Sequence, residues 1–329
     1  AKAWDKETNI LLTYFINQVT DYQKIALAEP DGRKKQKCNI RGLPCFRAKK
    51  FRQIPLPLFL EGPVHYLRCR PETKIAESLV ESIKKSELYD DKLKMFKVNA
   101  SLADQPMEIG RARVFSPGWF ENESIWLHME YKYMLELLRN ELYPAFYQDF
   151  KKVFVPFLQP EVYGRSILEN SSFIVSSGNP DPSIHGNGYV ARLTGATAEF
   201  IHMLMLMTVG QKPFNINREG ELQLRFKPAL AGWLFTQAVR KYRVFMDDQW
   251  QELEFPANTF SFMFLGKILV TYHNTQLKDT FGSEGVSPAM WTVIDLTGNS
   301  QTFNGDSLCG DIAEKIRNRE VKRINIELR

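Results

Sequence analysis

Thr197-Ala198-Glu199-Phe200-Ile201-His202-Met203-Leu204-Met205-Leu206-Met207-Thr208-Val209 is apolar on nearly every side, and Gly210 and Pro213 close it. Such a run predicts a helix, apolar nearly all round. Past Gly220 the period changes. In Leu222-Gln223-Leu224-Arg225-Phe226 apolar and polar residues alternate. Phe260, Phe262 and Phe264 repeat the alternation, as do Ile268, Val270 and Tyr272, and then Ile324 and Ile326. Period two predicts strands with one buried face. Only Leu308–Arg319 reads as helical in this part.

Upstream of that switch the spacing is helical. Ile10, Leu11, Tyr14, Phe15, Val19, Tyr22, Ile25 and Ala26 predict a first helix, ended by Glu29-Pro30-Asp31-Gly32. Ile75, Leu79 and Ile83 predict a second. Ser124–Tyr143 predicts a long one with a thin polar face, and Ala145–Phe157 a short one. Arg33–Gln53 holds nine Lys or Arg and no acid. With Gly42, Pro44 and no periodicity it reads as a basic loop, either a solvated insertion or a contact for an anion or partner. Helices first and strands last make an α+β chain, with a helical part over 1–218 and a β domain over 219–329.

The 329 residues carry 43 basic and 38 acidic side chains, a net +5. The 44% apolar fraction is that of a globular protein and excludes a wholly disordered or collagen-like chain. The longest apolar run, Phe200–Val209, is too short for a membrane helix, and no leader pattern opens the chain. Cys38, Cys45, Cys69 and Cys309 form no metal pattern. They read as reduced thiols, with a Cys38–Cys45 bridge as an option, so a cytoplasmic protein is expected. No G-x-S-x-G, Walker loop, H-E-x-x-H or G-x-G-x-x-G is present, and no nucleic-acid module accompanies the basic stretch.

Three polar stretches could carry chemistry. In Pro117–His128 a Pro-Gly turn delivers Glu121, Asn122 and Glu123 to a helix start, with His128 about one turn further in. Helix starts favour anions, and a histidine there can donate to one. Asn122 or Glu123 as a plain cap and His128 as a core residue is the structural alternative. Tyr163–Phe173 groups Arg165, Glu169, Asn170 and two serines, which are costly to bury unless paired. Gly186–Thr197 ends in Thr194-Gly195 before the apolar helix. A hydroxyl and free N–H groups there could cradle an anion, or Thr194 could simply cap the helix.

Together these pieces resemble the glycoside phosphorylases of glycoside hydrolase family 94 and related β-glucan phosphorylase families. The resemblance rests on Pro-Gly…Glu-Asn…His at Pro117–His128, Thr-Gly-x-x-Ala at Thr194–Ala198, and Gly210…Pro213 followed by Leu222…Pro228, in that order. It extends thinly over Leu56–Arg329 and is firmest in Gly110–Pro228. It implies an (α/α) barrel followed by a β domain, and inverting phosphorolysis of a β-glucoside to α-glucose 1-phosphate. Phosphate is then the nucleophile and co-substrate, and neither a cofactor nor a metal is implied. Carried over by position, His128, Thr194 and Gly195 would bind phosphate, and Glu121 and Asn122 would lie near the sugar. Arg165 and Arg192 align with no family role.

One departure stands out. The family's general acid is an Asp in an upstream loop rich in Trp, Asn and Asp, and nothing in Ala1–Arg113 reproduces that loop. Asp21, Asp31, Asp90, Asp91 and Asp104 sit in other contexts. The chain therefore reads as the C-terminal part of such an enzyme, completed by an N-terminal region or partner chain. The other expectation is a catalytically inactive subunit that binds a protein or glycan, with the basic stretch as its interface.

Overall fold

The computed structural model describes residues 3–30, 32–190, 195–246 and 248–329. The fold is α+β, with about 26% of residues in helices and 31% in strands. The chain divides into two compact units. The first comprises Ala1–Tyr133 and Lys152–Thr194, the second Met134–Lys151 and Gly195–Arg329. Part of the helical region, including Ala196–Val209, thus groups with the β region beyond 218. Among the described residues no helix is long and apolar enough to cross a membrane.

The first unit opens differently from expectation. Residues 10–26 do not form a helix. Ile10–Leu11 pairs with Trp4–Asp5, and Phe15–Lys24 pairs antiparallel with Phe46–Pro55. The helical spacing has a physical explanation. Val19 faces Phe51 and Tyr22 faces Ala48, with Thr20 and Lys49 left as extra residues between the pairs. A bulge of this kind brings Val19 and Tyr22, three apart, to one face of a strand. The β-branched and aromatic residues of the segment favour that outcome. The basic stretch 33–53 is likewise not a loop: Lys34–Gln36 pairs with Ala26–Ala28, and Phe46–Pro55 supplies the second long strand. Gln36 Nε2 donates to the carbonyls of Ile25 and Cys45 at 3.0 Å, tying the branches together. All four cysteines are free thiols.

Helix Thr73–Lys84 forms where expected, and it buries Ala76, Leu79 and Ile83. Ile75 faces out instead, since it lies one residue off that stripe. The long helix begins later than expected. Ile125–Trp126 is a strand, and Leu127–Arg139 is the helix. It buries Leu127, Tyr131, Met134, Leu135 and Leu138, and with them Glu130, whose carboxylate accepts the Phe96 N–H at 2.7 Å.

In the second unit a five-stranded sheet runs Thr259–Phe264, Ile268–His273, Val321–Leu328, Pro288–Asp295, Ser300–Asn304. All neighbours are antiparallel except the pair Ile268–His273 and Val321–Leu328. Val270, Tyr272, Ile324 and Ile326 are fully buried on one face beside Trp291, as read, but strand Ile268–His273 also buries Leu269 and Thr271 on its other face, and Phe260 and Phe262 are only half-buried. Phe226 lies past the end of strand Leu222–Leu224, yet it is buried with its ring 5.2 Å from that of Trp291. Helix Ala196–Val209 belongs to this unit, and the buried Tyr272 hydroxyl donates to the Thr208 carbonyl at 2.8 Å. The expected helix Leu308–Arg319 splits into strand Leu308–Cys309 and helix Asp311–Arg317. Gly310, at φ +61°, makes the corner.

Candidate functional site

Trp119 to Asn122 form a tight turn in which each of the two end residues donates its N–H to the other's carbonyl at 3.1 Å. Phe120, at φ +49°, and Glu123, at φ +58°, flank the Glu121-Asn122 pair in left-handed backbone. Side chains there are strained by about 1–3 kcal/mol each, and such strain clusters at binding sites. Gly118, at φ +73°, seats the turn. A Cβ on it would lie 2.8 Å from the Asn179 nitrogen.

Remote residues hold the turn in place. Asn99 donates from Nδ2 to the Glu121 carbonyl and accepts the Glu123 N–H at Oδ1, both at 2.6 Å. Asn179 Nδ2 donates to the Pro117 carbonyl at 2.9 Å. Lys97 lies 3.4 Å from the Glu123 carboxylate. Gly178 passes so close that a Cβ on it would sit 3.2 Å from Glu123 Oε2.

The clamped pair keeps two oxygens unsatisfied. Glu121 Oε1 accepts from Arg111 at 2.8 Å, while Oε2 is buried with no hydrogen-bond partner among the described residues. Asn122 is buried and donates from Nδ2 to the Phe115 carbonyl at 2.7 Å, and its Oδ1 has no such partner. Buried polar atoms are almost always paired, so these two unpaired acceptors set the turn apart from its surroundings. Aromatic rings stand beside them. Trp119 lies 4.6 Å from Tyr189 and 5.2 Å from Phe173 between centroids, and Phe120 lies 5.0 Å from Phe173.

A three-stranded sheet carries the Phe173 and Tyr189 rings, in the order Gly188–Tyr189, Phe173–Ile174, Ile125–Trp126. Its ladder continues past the strands. Leu127 donates its N–H to the Ser172 carbonyl at 3.1 Å, and Ser172 donates its own to that of Tyr189 at 2.8 Å. One residue further stand His128, half-buried as the second residue of its helix, and Ser171, fully buried with Oγ lacking a partner among the described residues. The Ser171 N–H reaches the Tyr163 hydroxyl at 2.8 Å, and that hydroxyl donates to the Glu169 carbonyl, also at 2.8 Å. Burial lifts the Tyr163 pKa above the ordinary phenol value, so the hydroxyl stays a donor. Arg165 pairs with Glu169 at 2.6 Å.

The structure therefore brings the first two polar stretches to one small sheet, with Glu121, Asn122 and His128 along a single continuous run. Thr194 and Arg192 lie outside the described residues. Gly195 is the N-terminal boundary of helix Ala196–Val209 in the second unit, where its carbonyl accepts the Glu199 N–H. Asn99, Arg111 and Asn179 escaped sequence reading, because each acts across a long sequence separation or through an isolated polar residue.

None of the described aspartates weighed as general acid adjoins this site with a free carboxyl. Asp90 is buried and accepts from Ser177 N and Oγ and from the N–H groups of Lys92 and Leu93. Asp21 pairs across the ribbon with Lys50, Asp91 is exposed beside Lys94, Asp104 is exposed, and Asp31 is not described. Among the described residues no group of three or more His, Cys, Asp or Glu is placed to hold a metal ion. A cleft of about 330 Å³ in the second unit is lined by Tyr242, Phe255, Phe260, Phe262 and Met263. Its hydroxyls are engaged internally, as Thr236 and Thr259 both donate to the Pro256 carbonyl. No charged side chain lines the cleft, so it offers no cationic partner for a phosphate.

Compared with known proteins, the chain matches no family model and no curated protein sequence.

Proposed function

We propose that this chain is the sugar- and phosphate-binding part of an inverting glycoside phosphorylase acting on β-glucan oligosaccharides. The observation that carries the reading is the Glu121-Asn122 pair. It holds two buried, unsatisfied acceptor oxygens in a strained turn, beside a cluster of aromatic rings. A pyranose offers both complements, hydroxyl donors and an apolar ring face. From that turn the chain runs directly through Ile125–Trp126 to His128 at a helix start, where the helix dipole suits an anion such as phosphate. By the resemblance, Thr194 and Gly195 are further phosphate-binding candidates. An (α/α) barrel, completed by an N-terminal region or partner chain, belongs to the same proposal.

In this reading phosphate attacks the anomeric carbon in line. The C–O bond to the leaving sugar breaks, and that oxygen takes a proton from an acid. Phosphate replaces the activated water of an inverting hydrolase, so no general base is needed. The protein's work is to hold the anion and the sugar in line and to supply the acid.

The second reading, an inactive subunit that binds glycan or protein, draws support from the aspartates. Among the described candidates the buried one, Asp90, is committed to four hydrogen bonds. Phosphate-dependent release of glucose 1-phosphate from β-glucan oligosaccharides separates the two. Release that His128→Ala abolishes supports the phosphorylase. Release untouched by His128→Ala removes the phosphate assignment. Glycan binding without release, at any phosphate concentration, favours the inactive subunit.

A further inference from the structure

The ribbon Phe15–Lys24/Phe46–Pro55 stands in water on both faces. Asn17–Lys24 and Phe46–Gln53 are exposed at every residue. A two-stranded ribbon alone is marginally stable, and it gains stability when a third layer or strand covers its apolar side.

This ribbon is two-sided. Val19 faces Phe51, and the Tyr22 ring packs edge-on to Phe46 with centroids 5.0 Å apart. The extra residues Thr20 and Lys49 bring both pairs to one face. On that face Val19 is 46%, Tyr22 60%, Phe46 44% and Phe51 59% exposed. The paired rows Gln18/Arg52, Asp21/Lys50 and Gln23/Arg47 fall on the other face. One face thus carries an apolar stripe, bounded by Asn17/Gln53 at one end and by Lys24 opposite Phe46 at the other, while the three basic rows lie on the other face.

We propose that the apolar face of this arm docks against the same face of a second copy of the chain, in a twofold dimer. Charge decides the mode of approach. Each copy carries +5, and Phe46–Pro55 alone holds Arg47, Lys49, Lys50 and Arg52 with no acid. Packed stripe to stripe, the two basic faces point outward on opposite sides of a double layer. Layers of this kind pack about 10 Å apart. The cations then lie further apart than the ~8 Å over which salt leaves them interacting.

Area supports the same partner. The four side chains leave roughly 450 Å² of apolar surface in water, from ~150–250 Å² for each aromatic ring. Two such stripes, with the backbone they cover, approach the ~1,200 Å² at which stable interfaces begin. This inference is independent of the phosphorylase reading.

Sedimentation equilibrium of the whole chain across a wide concentration range tests it. The mass should rise from one chain to two. Val19→Asp with Phe51→Asp should weaken the association at least tenfold, and Ile40→Ser, at the exposed tip outside the stripe, should leave it unchanged. Circular dichroism keeps the comparison valid, since all three positions are exposed and the variants should fold as the parent does. A single-chain mass at every concentration overturns the proposal. So does a dimer that the paired variant leaves intact. Binding to phosphatidylserine vesicles without self-association, lost in the paired variant, would assign the stripe to a lipid surface and overturn it equally.

Discussion

Trp119 and Asn122 exchange backbone N–H···O=C bonds at 3.1 Å in both directions, and the two residues between them are Phe120 and Glu121. That closure fixes where the Glu121 carboxylate and the Asn122 amide stand. It also explains why Phe120 accepts left-handed backbone. The account predicts that the turn serves a ligand and that its side chains matter more for binding than for folding.

Glu121→Gln tests this division. The Arg111 partner is largely exposed, so the ion pair contributes at most about 1 kcal/mol. Thermal unfolding should therefore shift little. Affinity for a β-glucan oligosaccharide, measured by calorimetry, should fall about tenfold, the ~1.4 kcal/mol of one lost charge-assisted hydrogen bond. A large stability loss with unchanged affinity would make Glu121 structural.

Gly118→Ala should do the opposite. At φ +73° an added Cβ meets the Asn179 nitrogen at 2.8 Å, so backbone strain and a backbone clash combine. The cost should be about 2 kcal/mol or more, read as a fall in Tm of about 4 °C or more. A variant as stable as the parent would show that the turn is not held as described.

How much of this was legible in the sequence depends on the range of the interactions. Thr73–Lys84 and Ala196–Val209 were readable because their apolar spacing is dense and uninterrupted. The strands bearing Val270, Tyr272, Ile324 and Ile326 were readable because period two survives in each. Phe15–Lys24 was misread, since one extra residue at Thr20 turns strand spacing into helix spacing. The basic stretch 33–53 was misread because its strands alternate little and their pairing spans up to forty residues. Glu121, Asn122 and His128 stand out in the sequence as polar residues following a Pro-Gly turn. Their clamps Asn99 and Asn179 do not, because a single polar residue carries no period.

Tyr272→Phe probes the second unit. The buried hydroxyl donates to the Thr208 carbonyl at 2.8 Å, linking helix Ala196–Val209 to the sheet. Burial holds its pKa well above the ordinary phenol value, so it donates throughout the working pH range. Removing it should cost about 1–3 kcal/mol in chemical denaturation, the price of leaving a buried carbonyl unpaired. No change would mean that this bond contributes nothing net.

Asp295 gives a pH prediction. The Thr297 hydroxyl, with the Asn299 amides, holds its carboxyl below the usual carboxylate range. A folded pKa below the unfolded one means the contribution is present above the ordinary range. It is lost as pH falls through the lowered pKa. Thr297→Ala should move the Asp295 carboxyl resonance midpoint upward in an NMR titration. An unmoved midpoint would contradict the assigned cause.

The central claim is that one continuous segment, Glu121 to His128, binds sugar and phosphate together. Calorimetric titration of a β-glucan oligosaccharide into the chain, with and without phosphate, tests it most directly. The account predicts saturable binding that phosphate strengthens, a weakening of about tenfold or more in Asn122→Ala, and loss of the phosphate effect alone in His128→Ala. Binding of neither ligand, or binding that both substitutions leave untouched, would contradict it.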